Sequence, residues 1–174
     1  MRANIILIGF MGTGKSTIGF SLSKAVGYPL LDTDDLLTER AGKTVPEIFE
    51  EVGEAGFRKM ESEVLSELAE TDHAIISTGG GIVTVEANRK LLKELGYVVW
   101  LSASPETILS RTSRNRNRPL LDTEDPLGTI RELMAQRREF YEETAHLVLD
   151  TGGLDASEIT AGILDSARYY LSHH

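Results

Sequence analysis

Apolar residues alternate along this chain between two patterns. Short, largely apolar runs occur at 5–8, 28–31, 74–78, 97–101 and 146–150. The first, apolar at every position, reads as a central parallel strand buried on both faces, and the other four read as further strands. Between them the apolar residues recur every three or four positions, which is the period of a helix with one face on a core. The segment 15–26 places Ile18, Leu22 and Val26 on one side, and Gly27 ends it. Thr44-Val45-Pro46-Glu47 is a capping box with proline in the first turn, opening a short helix through Phe49. A longer helix over 53–69 aligns Phe57, Met60, Val64 and Leu68. Further helices are predicted at 84–95 before Gly96, from Ser104-Pro105 through Arg111, over 126–143, and from Asp155 to near Leu171. Strands alternating with helices imply an α/β fold, a parallel sheet covered on both faces.

Composition narrows the class without changing that picture. The 174 residues, 41% hydrophobic and 26% charged, suit one soluble domain, with no linker or repeat to divide them. A net charge of −9 argues against general attraction to nucleic acid or to anionic membranes, so anionic ligands must meet local clusters of positive charge. Without cysteine there is neither a disulfide framework nor a thiolate metal site. The first apolar run is too short for a signal peptide or a membrane span, and a cytoplasmic monomer is expected. His173-His174 makes no metal site by itself.

The first strand runs directly into Gly9-Phe10-Met11-Gly12-Thr13-Gly14-Lys15-Ser16-Thr17, which matches the phosphate-loop pattern G-x-x-x-x-G-K-[ST] at every fixed position. Each part has a physical task. Glycines let successive backbone N–H groups turn inward on phosphate oxygens, and the helix beginning near Lys15 adds its positive end. Lys15 supplies a mobile charge for the β- and γ-phosphates, and the Ser16 hydroxyl is placed to ligate Mg²⁺. Gly12, Thr13, Gly14 and Thr17 complete the nucleotide-binding set, so a nucleotide with Mg²⁺ is the expected ligand.

Three other stretches carry chemistry. The second strand ends in Asp32-Thr33-Asp34-Asp35, carboxylates at the strand end that faces the ligand crevice of such sheets. Capping of the next helix by Thr33 or Asp34 is the plainer use of these residues. The third strand ends Ser77-Thr78 rather than in the aspartate that many phosphate-loop proteins use for Mg²⁺, which leaves Asp32 as the candidate. Gly79-Gly80-Gly81 follows, a bare backbone suited to close approach by a ligand, or simply a turn. Finally, 111–118 holds Arg111, Arg114, Arg116 and Arg118 with no acid among them, inside a long connection at 112–124. A connection of that length within a compact domain reads as a mobile lid over a charged ligand.

Together these segments resemble the shikimate kinase family along nearly the whole chain. The resemblance rests on the phosphate loop at 9–17, L-D-T-D-D at 31–35, I-F-E-E-V-G-E-A-G-F-R-K-M-E at 48–61, S-T-G-G-G at 77–81, R-P-L-L at 118–121 and R-R-E-F-Y-E-E-T-A at 137–145. It implies a P-loop NTPase fold like that of nucleoside monophosphate kinases, a three-layer sandwich with a five-stranded parallel sheet. One domain would span 1–174, with a lid at about 112–124 and a substrate-binding segment at about 33–61. It implies transfer of the ATP γ-phosphoryl group to the 3-hydroxyl of shikimate. Asp34 would bind the substrate hydroxyls and take the proton of the attacking one, and Asp32 would sit near Mg²⁺, partly through water. Arg58 and Arg137 would hold the substrate carboxylate, with the backbone of Gly79, Gly80 and Gly81 close to the substrate. Arg118 would reach the transferring phosphoryl group from the lid, and Arg111 would lie against adenine. The lid has more arginine than the family pattern requires, and Thr151-Gly152-Gly153 lacks a basic residue that some members place near adenine.

The residue types agree with that implication. Phosphoryl transfer needs neutralised γ-phosphate charge, an oriented acceptor hydroxyl and exclusion of water. Arginine's planar fork suits a carboxylate-bearing acceptor better than a neutral sugar. Two alternatives remain at this point: a gluconate kinase, which shares the fold, and a nucleotide-dependent switch without transfer chemistry.

Overall fold

The computed structural model describes residues 2–113 and 119–174. Five parallel strands form one sheet in the order β2-β3-β1-β4-β5. They are β1 (Asn4–Ile8), β2 (Leu30–Asp32), β3 (Ile75–Ser77), β4 (Gly96–Ser102) and β5 (Leu147–Asp150). Strand β1 is central and fully buried, as its unbroken apolar run requires. The chain leaves β1 for strands on one side of it and returns past it to β4 and β5 on the other. That reversal opens a crevice at the carboxyl ends of the strands, where α/β sheets bind ligands.

Alternate side chains of the same strands feed two cores. Ile6, Ile8, Ile76 and Val98 pack on one face against α3 (Val45–Glu67), α4 (Glu86–Leu95) and α6 (Pro126–Thr144). Ile5, Leu7, Ile75 and Val99 pack on the other against α1 (Lys15–Val26) and α7 (Ala156–His173). Helices α2 (Thr33–Ala41) and α5 (Pro105–Thr112) complete the described elements, with short 3₁₀ turns at Ile82–Thr84 and Pro119–Leu121. No helix among the described residues is long and apolar enough to cross a membrane.

The predicted ends hold where a cap fixes them. Thr44 with Glu47 and Asp155 with Glu158 form capping boxes, Asp125 caps α6, and Gly27 takes the left-handed conformation that stops α1. Two of the bounds that shift bear on the site. The second strand runs 30–32 rather than 28–31, so Asp32 itself lies within the sheet. The helices predicted at 44–49 and 53–69 join into α3, which Gly53 breaks with φ 69° and ψ −176°, a conformation easy only for glycine.

At the amino ends of the strands, Asn4 is completely buried. Its Nδ2 donates to Leu95 O at 2.8 Å and Thr71 O at 2.7 Å, and its Oδ1 accepts from Ala74 N at 2.9 Å. One side chain thus joins the start of β1 to the segment entering β3 and to the end of α4.

Candidate active site

The phosphate loop takes its form from three glycines with positive φ: Gly9, Gly12 and Gly14. A Cβ on Gly9 would overlap the Leu101 carbonyl, so the loop packs backbone against backbone on β4. Gly14, at φ 97°, starts α1 without a capping side chain, which leaves the first-turn N–H groups for a ligand. Lys15 is nearly buried, and its Nζ donates to Gly9 O at 2.6 Å and Phe10 O at 2.9 Å. The lysine therefore lies folded onto its own loop, with phosphate oxygens as the natural replacements for those carbonyls. Thr13 turns the other way: its hydroxyl donates to Phe10 O at 2.8 Å and is buried behind the loop.

A cleft of about 920 Å³ opens over the loop and is lined by Gly12, Gly14, Lys15, Ser16, Thr17, Asp32, Asp34, Gly80 and Arg111, among others. Parallel pairing sets Asp32 beside Ser77. A carboxylate thus stands level with the end of β3, on the neighbouring strand. Asp32 also caps α2: its Oδ1 accepts from Asp34 N at 2.9 Å and Asp35 N at 3.1 Å. The capping role falls to Asp32, not to Thr33 or Asp34, because Asp32 is the last extended residue. Burial pushes its carboxyl above the usual range, with the neighbouring Asp34 and Asp35 adding to the effect and the two N–H groups opposing it. One hydroxyl and one carboxylate on a shared wall suit Mg²⁺, which takes few protein ligands and completes its shell with water and phosphate. Among the described residues no group of three or more potential metal ligands exists.

Next to this cleft lies a tighter pocket walled by Val45, Phe49, Phe57, Pro119 and Leu120, with Asp34, Arg58, Glu61, Gly79, Gly80, Gly81 and Arg137 as its polar lining. Arg58 is largely buried; its Nη1 donates to Glu61 Oε1 at 3.0 Å and its Nη2 lies 3.6 Å from Glu54. Its guanidinium covers Gly81 so closely that any Cβ there would overlap it. Arg137 is 3% exposed, packs over the Phe10 ring at 5.4 Å, and leaves Nη1 without a hydrogen-bond partner among the described residues. A buried, unmatched guanidinium N–H aimed at a pocket is a vacant anion contact. Gly79 N–H is committed to Thr33 Oγ1 at 3.1 Å, whereas a Cβ on Gly79 would lie 2.5 Å from Glu61 Oε2 and 2.8 Å from Asp34 Oδ1. Glycine is thus required here to let two carboxylates face the same point.

The structure brings together Lys15, Ser16, Asp32, Asp34, Arg58, Arg137 and the glycine run, as the sequence suggests. Arg111 stands at the far end of the cleft, donating to Gly12 O at 3.1 Å and Thr151 Oγ1 at 3.2 Å. Arg118, with Arg114 and Arg116, lies outside the described residues.

Two site residues were not singled out from sequence. Tyr141 donates to Gly80 O at 2.5 Å and so holds the glycine run; burial pushes its hydroxyl up to about 12. Glu61 is 1% exposed, with Oε2 unpartnered among the described residues. Burial pushes it up to about 7 despite the nearby Arg58. Its spacing from Phe57 and Leu65, four residues each way on the buried face of α3, was the available signal.

Glu61 makes stability pH-dependent. Its folded value lies above the ordinary 4.5, so the neutral acid's contribution is complete below that pH and is lost as pH rises through about 7. Relative to Glu61→Gln, the wild-type chain should therefore lose roughly 3 kcal/mol over that interval. Urea unfolding of both at pH 4.5, 6 and 8 measures it; a difference that stays constant with pH would refute the burial account.

Comparisons with known proteins agree with one another. The family profile described as shikimate kinase matches residues 11–168. A shikimate kinase of Bordetella avium is 48% identical over 166 residues, 95% of this chain and 79% of that protein. The structure of a shikimate kinase from Acinetobacter baumannii, in complex with shikimate, superposes with a TM-score of 0.91 at 40% identity, covering 98% of this chain and 93% of the other. One from Aquifex aeolicus gives 0.79 at 37% identity, covering 94% and 95%. A gluconokinase from Sinorhizobium meliloti, 17% identical with a TM-score of 0.60, shares the fold alone.

Proposed function

This chain belongs to the shikimate kinase family, and from that premise we infer that it transfers the γ-phosphoryl group of ATP to the 3-hydroxyl of shikimate. The observation that carries the assignment of roles is the adjacency of the two pockets, a phosphate loop on one side and paired arginines with a carboxylate on the other. Arg58 and Arg137 bind the substrate carboxylate. Asp34, which lines both pockets, orients the acceptor hydroxyl and accepts its proton as the oxygen attacks. The new bond joins that oxygen to the γ-phosphorus while the bond to the β–γ bridging oxygen breaks, and ADP departs with its electrons. Lys15 and the loop N–H groups stabilise the charge on the phosphates. Phe49, Phe57 and Leu120 wall the acceptor away from water, which would otherwise compete for the phosphoryl group.

Ser16 and Asp32 are the residues that would hold Mg²⁺, and the ion when bound neutralises phosphate charge. Arg111 is assigned to the adenine end and Arg118 to the transferring group, the latter on its sequence position alone.

A coupled ADP-release assay with shikimate and gluconate as alternative acceptors tests the reading. Turnover with shikimate and none with gluconate is expected; the reverse would overturn it. Within the pocket, Arg58→Lys and Arg137→Lys keep charge but lose the two-pronged fork. Each should weaken shikimate binding by about 1.5–3 kcal/mol, as titration of the variants would register. Unchanged affinity in both would remove them from the carboxylate contact.

A further inference from the structure

Resting on the functional reading above, we propose that Arg89 on α4 is a positioning residue for the acceptor pocket, holding the glycine run and Arg137 at the separation that the substrate carboxylate bridges. Arg89 itself lines neither pocket.

Three consecutive glycines have wide backbone freedom, so the shape of the run at 79–81 has to be imposed from outside. Side chains impose it carbonyl by carbonyl. Gly80 O accepts from the Tyr141 hydroxyl at 2.5 Å, and Gly81 O from Thr84 Oγ1 at 2.7 Å. Ile82 O accepts from Asn88 Nδ2 at 3.0 Å, and Val83 O from Arg89 Nη1 at 2.8 Å. Thr84 and Asn88 bind the turn to itself and to α4. Tyr141 and Arg89 instead join it to α6. The Arg89 guanidinium lies 4.4 Å over the Phe140 ring, and its Nε stands 3.3 Å from Glu143 Oε2.

Helix α6 also carries Arg137, one turn before Phe140 and Tyr141. On the other side, Gly81 lies directly against the Arg58 guanidinium. A carboxylate held by both arginines is met from the glycine run and from α6 at once, and such directional bonds weaken steeply when either side shifts. Tyr141 alone would leave the helix free to pivot about one bond. Arg89 adds a second attachment three residues further along the turn, and so removes the pivot. The ion pair contributes least to this hold, because Glu143 is half exposed. The Val83 carbonyl and the Phe140 face carry it, since the Arg89 side chain is largely buried between them.

Calorimetric titration of the full chain with shikimate and, separately, with ATP reads the two pockets independently. In Arg89→Met, shikimate affinity should fall about tenfold, less than the roughly hundredfold that a misplacement of about 1 Å costs a reacting geometry. ATP affinity should hold, since none of the partners of Arg89 lines the phosphate-loop cleft. Arg89→Lys keeps charge and a donor but lacks the flat face for Phe140, so its loss should be intermediate; it decides the matter alone if the methionine variant does not fold. In an Arg137→Lys background the Arg89→Met loss should shrink to about twofold or less, because the contact it positions is already impaired. A loss that persists in full there would overturn the proposal. So would equal losses of ATP and shikimate affinity, which general loosening of the fold would give, or unchanged shikimate affinity in the Arg89 variants. Each of these leaves the functional reading intact when the wild-type chain binds and phosphorylates shikimate. A wild-type chain that binds ATP but no shikimate would remove both.

Discussion

Replacing Lys15 by alanine is expected to lower kcat by about 10²–10³ and to weaken ATP binding as well, the range for losing one preorganised charge contact in a transition state. The structure gives the reason for the double effect. Lys15 lies within the loop, with Nζ bonded to the Gly9 and Phe10 carbonyls, so its charge is held close to where phosphate oxygens arrive. In the proposed reaction it would exchange carbonyl partners for β- and γ-oxygens, and its share of the stabilisation would rise as charge builds between them. Alanine leaves those carbonyls without their ammonium donor in a nearly closed space, so the loop itself should also loosen. Steady-state kinetics with a separate nucleotide titration would measure both parts. A variant with normal kcat would show that the loop N–H groups suffice without the lysine.

Asp34→Asn should lower kcat by about 10²–10⁴, the span for removing a general base, while ATP binding survives. The difference from Lys15 is positional. Asp34 sits in the first turn of α2 on the wall shared by both pockets, with Oδ1 directed at the space in front of Gly79. Asparagine keeps the shape and can still accept a hydrogen bond, but it cannot carry away the acceptor's proton. Fluorescence or calorimetric titration with ATP, beside kcat from ADP release, distinguishes the cases. An equal loss of ATP affinity in both variants would contradict this division of roles.

The architecture was legible because strands buried on both faces leave an unbroken apolar run, and amphipathic helices leave a periodic one. The phosphate loop was legible because its backbone geometry tolerates so few residues: Gly9, Gly12 and Gly14 all adopt positive φ. Arg58 was ambiguous, since an arginine on a helix is usually solvated, and only tertiary packing beneath Gly81 and beside Glu61 decides otherwise. Glu61 was harder still. A glutamate among Glu54, Lys59 and Glu63 reads as surface, and its burial depends on α6 and the glycine run arriving from elsewhere in the chain. Asp32 shows a third kind of limit. Its capping bonds and its place beside Ser77 both follow from a strand boundary one residue later than the hydrophobic run suggests.

The Asn4 knot has a consequence for the precision of everything at the opposite end of the sheet. In β1 both faces are apolar, so sliding the strand by one position would exchange one oily surface for another at modest cost. Hydrophobicity therefore chooses the register of this central strand only weakly. Asn4 chooses it sharply: any slip would strand a buried amide and orphan the partners now bonded to it on Leu95, Thr71 and Ala74. The polar side chain acts as an index pin, fixing how far β1 advances relative to β3 and β4. Because the strands are parallel and stiff, that alignment is transmitted along their length. It sets the height at which the phosphate loop emerges relative to Ser77, the glycine run and, through β2, Asp32. An apolar residue of similar size at position 4 would leave those three backbone groups unmatched, so the chain would be both less stable and less sharply indexed.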